Sequence, residues 1–340
     1  MKKNRSNKVV VTAGIGDYKP EEAILIFKCR DAVVEGLRSS GYDAICFDIH
    51  DKDFLEKPEW VISSLKEIGP DCVFNLFEGV SGDSMTEVEF ARMLEAEEIL
   101  FTGNNSEALE TCLDKDRTKK ILEANGIKVP SGIMARTLDD VEGKDIKFPV
   151  FVKPACEDAS LGIDSRSLAS NMEELRKAVG EKLRKFPKGI IVEEFISGRE
   201  YNAGFLGYYP YELMGISMLD YEESPGCVNY LNFNAKWKTR AAEYKKLMPV
   251  VLDEKDERYS HEVAEISCKA ARALGCSRYF RVDFREKDGE LYVLDVNPNP
   301  DISPDSGLIR QAYLRNLSYA DVIARITENA MRRDPAKHVI

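Results

Sequence analysis

Two short strands near the C-terminal end constrain this chain more than any other feature. The runs "RYFRVDF" (278–284) and "LYVLDVNPNP" (291–300) are joined by a link containing Asp288-Gly289, a pair favoured in hairpin turns. Side chains two apart on a strand share a face, so Arg281 goes with Asp283 and Asp295 with Asn297. An odd number of residues in the connection would bring all four to one face. Pro298 and Pro300 then end the ladder, because neither can donate a backbone N–H. Two carboxylates and an amide oxygen are hard ligands suited to Mg²⁺, which binds substrate phosphates beside one or two carboxylates. The same alternation also describes the solvated outer face of an edge hairpin, so both readings stand on these residues alone.

Further upstream, the first hundred residues alternate strand and helix. "KVVVTAG" leads into a helix from Pro20 that Gly41 closes, with Ile24, Phe27, Val34 and Leu37 at helical spacing. "YDAICFDI", a helix near 59–68, "DCVFNLFEG", a helix near 84–98 and the short strand "ILFTG" follow. This pattern predicts an open, mostly parallel, Rossmann-like sheet. Gly14-Ile15-Gly16 matches only part of a dinucleotide fingerprint, since position 19 is Lys, so NAD binding is not read from it. One helix is expected over 107–126, strands at "VPSGIMA" and "FPVFVKPA", a helix near 171–185, and strands in "GIIVEEFISGREYNAGFLG". Helices near 257–274 and 318–332 flank the hairpin. A chain of 340 residues exceeds one ordinary core, and three units are expected: 1–106, 107–204 and 205–340.

Several function classes are disfavoured. The eight cysteines are scattered with no Cys-x-x-Cys pair, and only His50, His261 and His338 are present, which argues against a zinc enzyme or a Ser-His-Asp hydrolase. A net charge of −11 argues against general nucleic-acid binding. No apolar run approaches the roughly 20 residues that cross a bilayer, and the basic start lacks a signal-type apolar core. A cytoplasmic protein without a membrane partner is expected. An anionic ligand would need a locally basic pocket.

No P-loop motif occurs, so a nucleotide would have to be held differently. In "FVKPACEDASLG" (151–162), Lys153 ends a strand and is followed by a loop of small residues whose N–H groups could cover phosphates. A plain surface lysine fits the same string. In "IIVEEFISGRE" (190–200), the backbone from Glu194 to Ile196 could meet an adenine and Glu200 a ribose, or the segment is a strand and a turn.

With these stretches in this order the chain resembles the ATP-grasp superfamily and, within it, the D-alanine–D-alanine ligases, over about residues 8–330. The motifs are "CLDKDRTKKILEANGIKVP", "FPVFVKPACEDASLG", "VEEFISGREY", "RVDF" and "LDVNPNPDISPDS". The resemblance implies an α/β fold with α+β subdomains: a Rossmann-like N-terminal sheet, a central lid and a C-terminal catalytic part. It implies that Lys115 and Lys153 contact ATP phosphates, that Glu193, Glu194, Phe195 and Ile196 frame the adenine, and that Glu200 binds ribose. Lys236 falls where a lysine reaches the γ-phosphate, and Arg281 where an arginine meets the reacting carboxylate. Asp283, Asp295 and Asn297 match Mg²⁺ ligands, for one or two ions that Mn²⁺ could replace. The implied chemistry is ATP-dependent joining of a small-molecule carboxylate to an amine through an acyl phosphate. A homodimer is the default expectation for the assembly.

The departures from the family pattern concentrate on the substrate pocket. "TAGIGDYKPEE" has no equivalent of the family's N-terminal glutamate stretch, Ala159 stands for a loop serine, and Trp237 for its tyrosine partner. Asp301 replaces an oxyanion-site glycine and Glu78 a histidine, while Ser306 aligns with a serine that binds the second substrate's carboxylate. Asp301 and Glu78 either receive a cationic group of the amine substrate or are solvated acids. Trp237 either stacks on a ring or fills space, and Cys156 is given no nucleophilic role. The expectation is therefore a ligase for substrates other than two D-alanines, with D-alanine–D-alanine ligase and a catalytically silent ATP-binding regulator as alternatives.

Overall fold

Lys8–Ile15 (β1) is apolar at Val9, Val10 and Val11, and all three are fully buried because both faces of the strand are covered. In the computed structural model, which describes residues 7–16, 20–80, 82–157, 161–219, 250–252 and 257–332, β1 is the centre of a parallel sheet. Pro20–Ser39 (α1) follows it and ends before Gly41, whose φ of 87° is the left-handed turn expected after a helix. Asp43–His50 (β2), the short helix Asp51–Glu56 (α2), Pro58–Ile68 (α3), Cys72–Leu76 (β3) and Met85–Ala96 (α4) complete the unit, with strand order β2-β1-β3. Val9 and Val11 pack with α1, while Val10 packs with α3 and α4. The strand expected at "ILFTG" is reduced to a single parallel bridge between Val73 and Phe101, because Gly103 turns the chain away with a φ of 89°.

The single helix predicted over 107–126 is two helices, Ser106–Leu113 (α5) and Lys115–Ala124 (α6). Asp114 breaks it: its backbone is extended and its carboxylate accepts from the Arg117 N–H at 3.0 Å, the local competition with helix bonding that short acids offer. The freed N–H of Lys115 donates to Ala155 O at 3.0 Å, joining the start of α6 to the chain that leaves the next sheet.

That next sheet is antiparallel, ordered β4-β7-β5-β6 from Gly132–Ala135 (β4), Val150–Pro154 (β5), Leu168–Ala169 (β6) and Ile190–Glu194 (β7). Met172–Lys185 (α7) covers it through Leu175, Ala178 and Val179. The third sheet runs β10-β9-β8-β11-β12, from Glu200–Gly207 (β8), Glu212–Leu219 (β9), Val250–Val251 (β10), Arg278–Lys287 (β11) and Glu290–Asn297 (β12). Glu257–Leu274 (α8) packs on Phe280, Val282 and Phe284. Gly307–Leu314 (α9), which the sequence pattern does not reveal, and Tyr319–Met331 (α10) fill the space between this sheet and β1. Among the described residues no helix is long and apolar enough to cross a membrane.

A buried asparagine joins the first unit to the third sheet. Asn104 is fully buried; its side chain donates to Tyr279 O at 2.8 Å and to Pro298 O, and accepts from the Ser277 N–H at 2.6 Å. Its own N–H donates to Asn299 Oδ1 at 2.8 Å. Asn104→Ala leaves these groups unpaired in a dry site, so a loss of roughly 3 kcal/mol in urea-measured stability is expected.

Candidate active site

The candidate site is built from the polar face of β11 and its neighbours. The turn between β11 and β12 is the two-residue Asp288-Gly289, both with positive φ, and on its own it would set Asp283 opposite Leu294. A β-bulge intervenes: Phe284 pairs with Val293 and Asp283 with Asp295, leaving Leu294 without a partner. Arg281 then faces Asn297. The bulge, not the turn, supplies the odd count that puts all four residues on one face.

Asp283 is the hub of that face. Its Oδ1 accepts from Arg281 Nε at 2.7 Å and Asn202 Nδ2 at 2.7 Å; its Oδ2 accepts from Arg281 Nη2 at 2.9 Å and Asn297 Nδ2 at 3.0 Å. Burial alone would lower the Arg281 pKa, but Asp283, with Asp295 and Asp301 adding to it, raises it above the ordinary arginine value. Asp295 Oδ2 accepts from Lys115 Nζ at 3.2 Å.

Facing this floor is the central sheet. Lys153 is not the surface lysine its dipeptide permits: it is 7% exposed, 2.8 Å from Glu193 and 3.3 Å from Leu294 O, the carbonyl of the bulged residue. Lys119, one helical turn beyond Lys115, reaches the other oxygen of Glu193 at 2.6 Å. Burial pushes the Glu193 carboxyl up, yet Lys153 and Lys119 outweigh it and hold the pKa below the usual value. The sequence reading missed Lys119; the four-residue lysine spacing in "KDRTKK" was its only signal.

The strand exit carries a second set. Glu194 points to the other face, against Lys287, and its N–H donates to Ser131 O at 2.8 Å. The Phe195 N–H donates to Pro149 O at 3.1 Å. Arg285, 3% exposed, ties this corner together: it donates to Ile196 O at 2.7 Å and to Glu200 Oε2 at 3.2 Å, and its guanidinium lies 5.2 Å from the Phe195 ring centre. Register explains the pairing, since Arg285 sits opposite Glu200 as Asp283 sits opposite Asn202. Arg285 lies on the same alternating face as Arg281 and Asp283, a signal the sequence reading did not use.

The predicted substrate residues lie on loops. Glu78 is exposed after β3; Asp301 accepts from the Ser303 N–H at 2.8 Å and its hydroxyl at 2.6 Å. Ser306 occupies the N-cap of α9 without capping it, and among the described residues its buried hydroxyl has no hydrogen-bond partner. Burial pushes the Cys156 thiol pKa up, consistent with no nucleophilic role. Lys236 and Trp237, and the loop position Ala159, fall outside the described residues.

Comparison with known proteins gives the chain's family. The family described as "D-ala D-ala ligase C-terminus" matches residues 127–328. A D-alanine–D-alanine ligase B of Chromobacterium violaceum is 31% identical over 299 residues, covering 87% of this chain and 89% of that protein. The chain belongs to the D-alanine–D-alanine ligase family. It is an ATP-dependent ligase that forms C–N bonds. Its fold matches, with a TM-score of 0.73 and 22% identity, the D-alanine–D-alanine ligase from Bacillus anthracis complexed with ATP, over 96% of this chain and 98% of that one. The VanG D-Ala:D-Ser ligase of Enterococcus faecalis shares the fold at the same TM-score and 20% identity, over 96% and 100%. The ATP-grasp fold drawn from the motifs is thus the fold of this ligase.

Glu193 offers a test of the buried charge cluster in this ligase. Glu193→Gln leaves Lys153 and Lys119 without their counter-charge, and a loss of about 3 kcal/mol at neutral pH is expected in urea unfolding. A carboxyl held below its ordinary pKa contributes stability above that ordinary value and loses it as pH falls through the lowered one. The difference between wild type and variant should therefore persist at neutral pH and shrink under acid.

Proposed function

We propose that this ligase activates the carboxylate of one amino acid with ATP and joins it to the amine of a second, with D-alanine as the first candidate for both. The observation that carries this reading is the match along nearly nine-tenths of both chains to a protein named D-alanine–D-alanine ligase B. The sequence reading put other substrates first because of the altered pocket; the relatives favour the opposite order.

In this reading Lys115, Lys153 and Lys236 neutralise the ATP phosphates, and the corner of Glu194, Phe195, Ile196 and Glu200 receives the nucleoside. The γ-phosphoryl group passes to a carboxylate oxygen, giving an acyl phosphate and ADP. The amine then attacks the carbonyl carbon; as the C–N bond forms the C–O bond breaks, phosphate leaves with that oxygen and the electron pair, and the amine's proton passes to phosphate or solvent. Arg281, on the same face as Asp283, stabilises the charge that develops on the reacting carboxylate. Ser306 Oγ and the first amide groups of α9 suit the carboxylate of the acceptor, because a helix start offers N–H donors and the hydroxyl has no hydrogen-bond partner among the described residues. Asp283, Asp295 and Asn297 would hold Mg²⁺: two carboxylates and an amide form a hard donor set, brought to one face by the hairpin register. Among the described residues no three His, Cys, Asp or Glu side chains are grouped to hold a metal; in this reading the third donor is the Asn297 amide. When bound, Mg²⁺ would neutralise charge on the phosphates of ATP.

A second reading, an acceptor bearing an extra cation, draws on the acids around α1. Burial pushes the Cys29 thiol pKa up to about 12, and the charges of Asp301, Glu78 and Asp305 add to that rise. Acids acting together in this way favour a positively charged side chain.

Incubation with Mg·ATP and D-alanine is expected to release ADP and give the alanyl-alanine dipeptide by mass. Turnover only when basic amino acids are added would establish the second reading instead. Asp295→Ala should bring ADP release to background while the melting temperature stays near that of wild type; wild-type turnover in this variant would contradict the site assignment.

A further inference from the structure

Asp283 accepts hydrogen bonds from Arg281, Asn297 and Asn202. Arg281 supplies two of them and has another task in the proposed reaction. When Arg281 turns to the reacting carboxylate, both of its bonds to Asp283 weaken. Asn202 Nδ2, 2.7 Å from Asp283 Oδ1, is a donor that the proposed reaction does not call away. Asn202 stands directly opposite Asp283 on β8, so backbone register aims it at that oxygen.

The backbone of Asn202 is itself held from behind. Gln311 on α9 is fully buried, and its Nε2 donates to Asn202 O at 2.9 Å and to Ser217 Oγ at 2.9 Å. Two glycines make room for it. A Cβ at Gly204 would lie 2.5 Å from Gln311 Oε1, and one at Gly215 would lie 3.0 Å from Gln311 Cβ. The strand pairing also shifts at Gly204, where β8 meets β9. The packing of three elements therefore converges on the position of one amide group.

We propose that Asn202 is a positioning residue: it holds Asp283 in the orientation that receives Mg²⁺, with Gln311 locking the Asn202 backbone. This rests on the proposed metal role of Asp283. A carboxylate whose free oxygen must meet a metal benefits from a fixed donor on the other oxygen, and such outer partners typically change metal affinity about 10- to 100-fold. Asn202 is half-buried, so a smaller side chain there is tolerated by the core.

The test is calorimetric titration of Mg²⁺ into wild type, Asn202→Ala and Asn202→Asp at a fixed concentration of the β,γ-imido analogue of ATP. Melting temperatures and analogue binding are measured alongside in EDTA. Asn202→Ala should raise the Mg²⁺ concentration for half-saturation about 10-fold or more, with melting and metal-free analogue binding close to wild type. Asn202→Asp has the same shape but sets a second carboxylate against Asp283 in place of the donor, and it should also differ from wild type in its Mg²⁺ response. An unchanged Mg²⁺ response in both variants overturns the inference and leaves the ligase reading intact. Equal losses with and without Mg²⁺ also overturn it, because the residue would then be merely structural. Absence of any Mg²⁺-dependent analogue binding by wild type would overturn the metal site and the inference with it.

Discussion

The register of the β11–β12 hairpin depends on one extra residue, and the candidate site depends on that register. Leu294 has no partner across the ladder, which shifts Asp283 from facing Leu294 to facing Asp295. Side chains alternate with period two, so removing the bulge would turn Asp295 and Asn297 to the opposite face. The same bulge leaves the carbonyl of Leu294 outside the ladder, where Lys153 from the central sheet takes it up. A local irregularity thus sets the floor of the site and helps attach the facing sheet to it. Bulges next to functional sites commonly have this re-aiming role.

The charges between the two sheets are arranged in alternating pairs rather than as an open basic patch. Lys153 and Lys119 share Glu193, Lys115 meets Asp295, and Arg281 meets Asp283. In an acidic protein this gives each buried cation a counter-charge within ion-pair distance. It also means that anionic phosphates would compete with carboxylates already present, and a divalent cation would relieve the carboxylates of that competition. Nucleotide and metal are expected to favour each other's binding for this reason.

How much of this was legible in the sequence follows from the range of the interactions. Arg281, Asp283, Asp295 and Asn297 were readable because strand period two is local, and the stop after Asn297 because proline ends a ladder. The parallel first sheet, α7, α8 and α10 were readable from periodicity. The α5–α6 break was not: Asp114 lies inside a helical pattern, and only its carboxylate bond to the Arg117 N–H outweighs continuation. The short helix α9 was obscured by the Pro-rich run before it and by the glycine at its first position, Gly307. Long-range pairing hid the rest. Lys115 and Asp295 are 180 residues apart, and Arg285 finds Glu200 only through the register of β8 against β11.

Lys153, Asp283, Asp295 and Asn297 sit on strands, whereas Glu78 and Asp301 sit on loops. Asp301 and Ser306 follow β12, and Glu78 follows β3. These loops are nevertheless anchored: Asn299 accepts from the Asn104 N–H and donates to Glu87 Oε1 at 2.7 Å, pinning the segment between β12 and Asp301 to α4. A change of side chain at 301 or 78 therefore alters what the pocket presents without moving the residues on the sheet. Under the proposed function, phosphate chemistry would be held by sheet register and acceptor choice by a tethered loop, so the two could vary separately. That separation is why family membership carries the C–N bond-forming chemistry to this chain more firmly than it carries D-alanine.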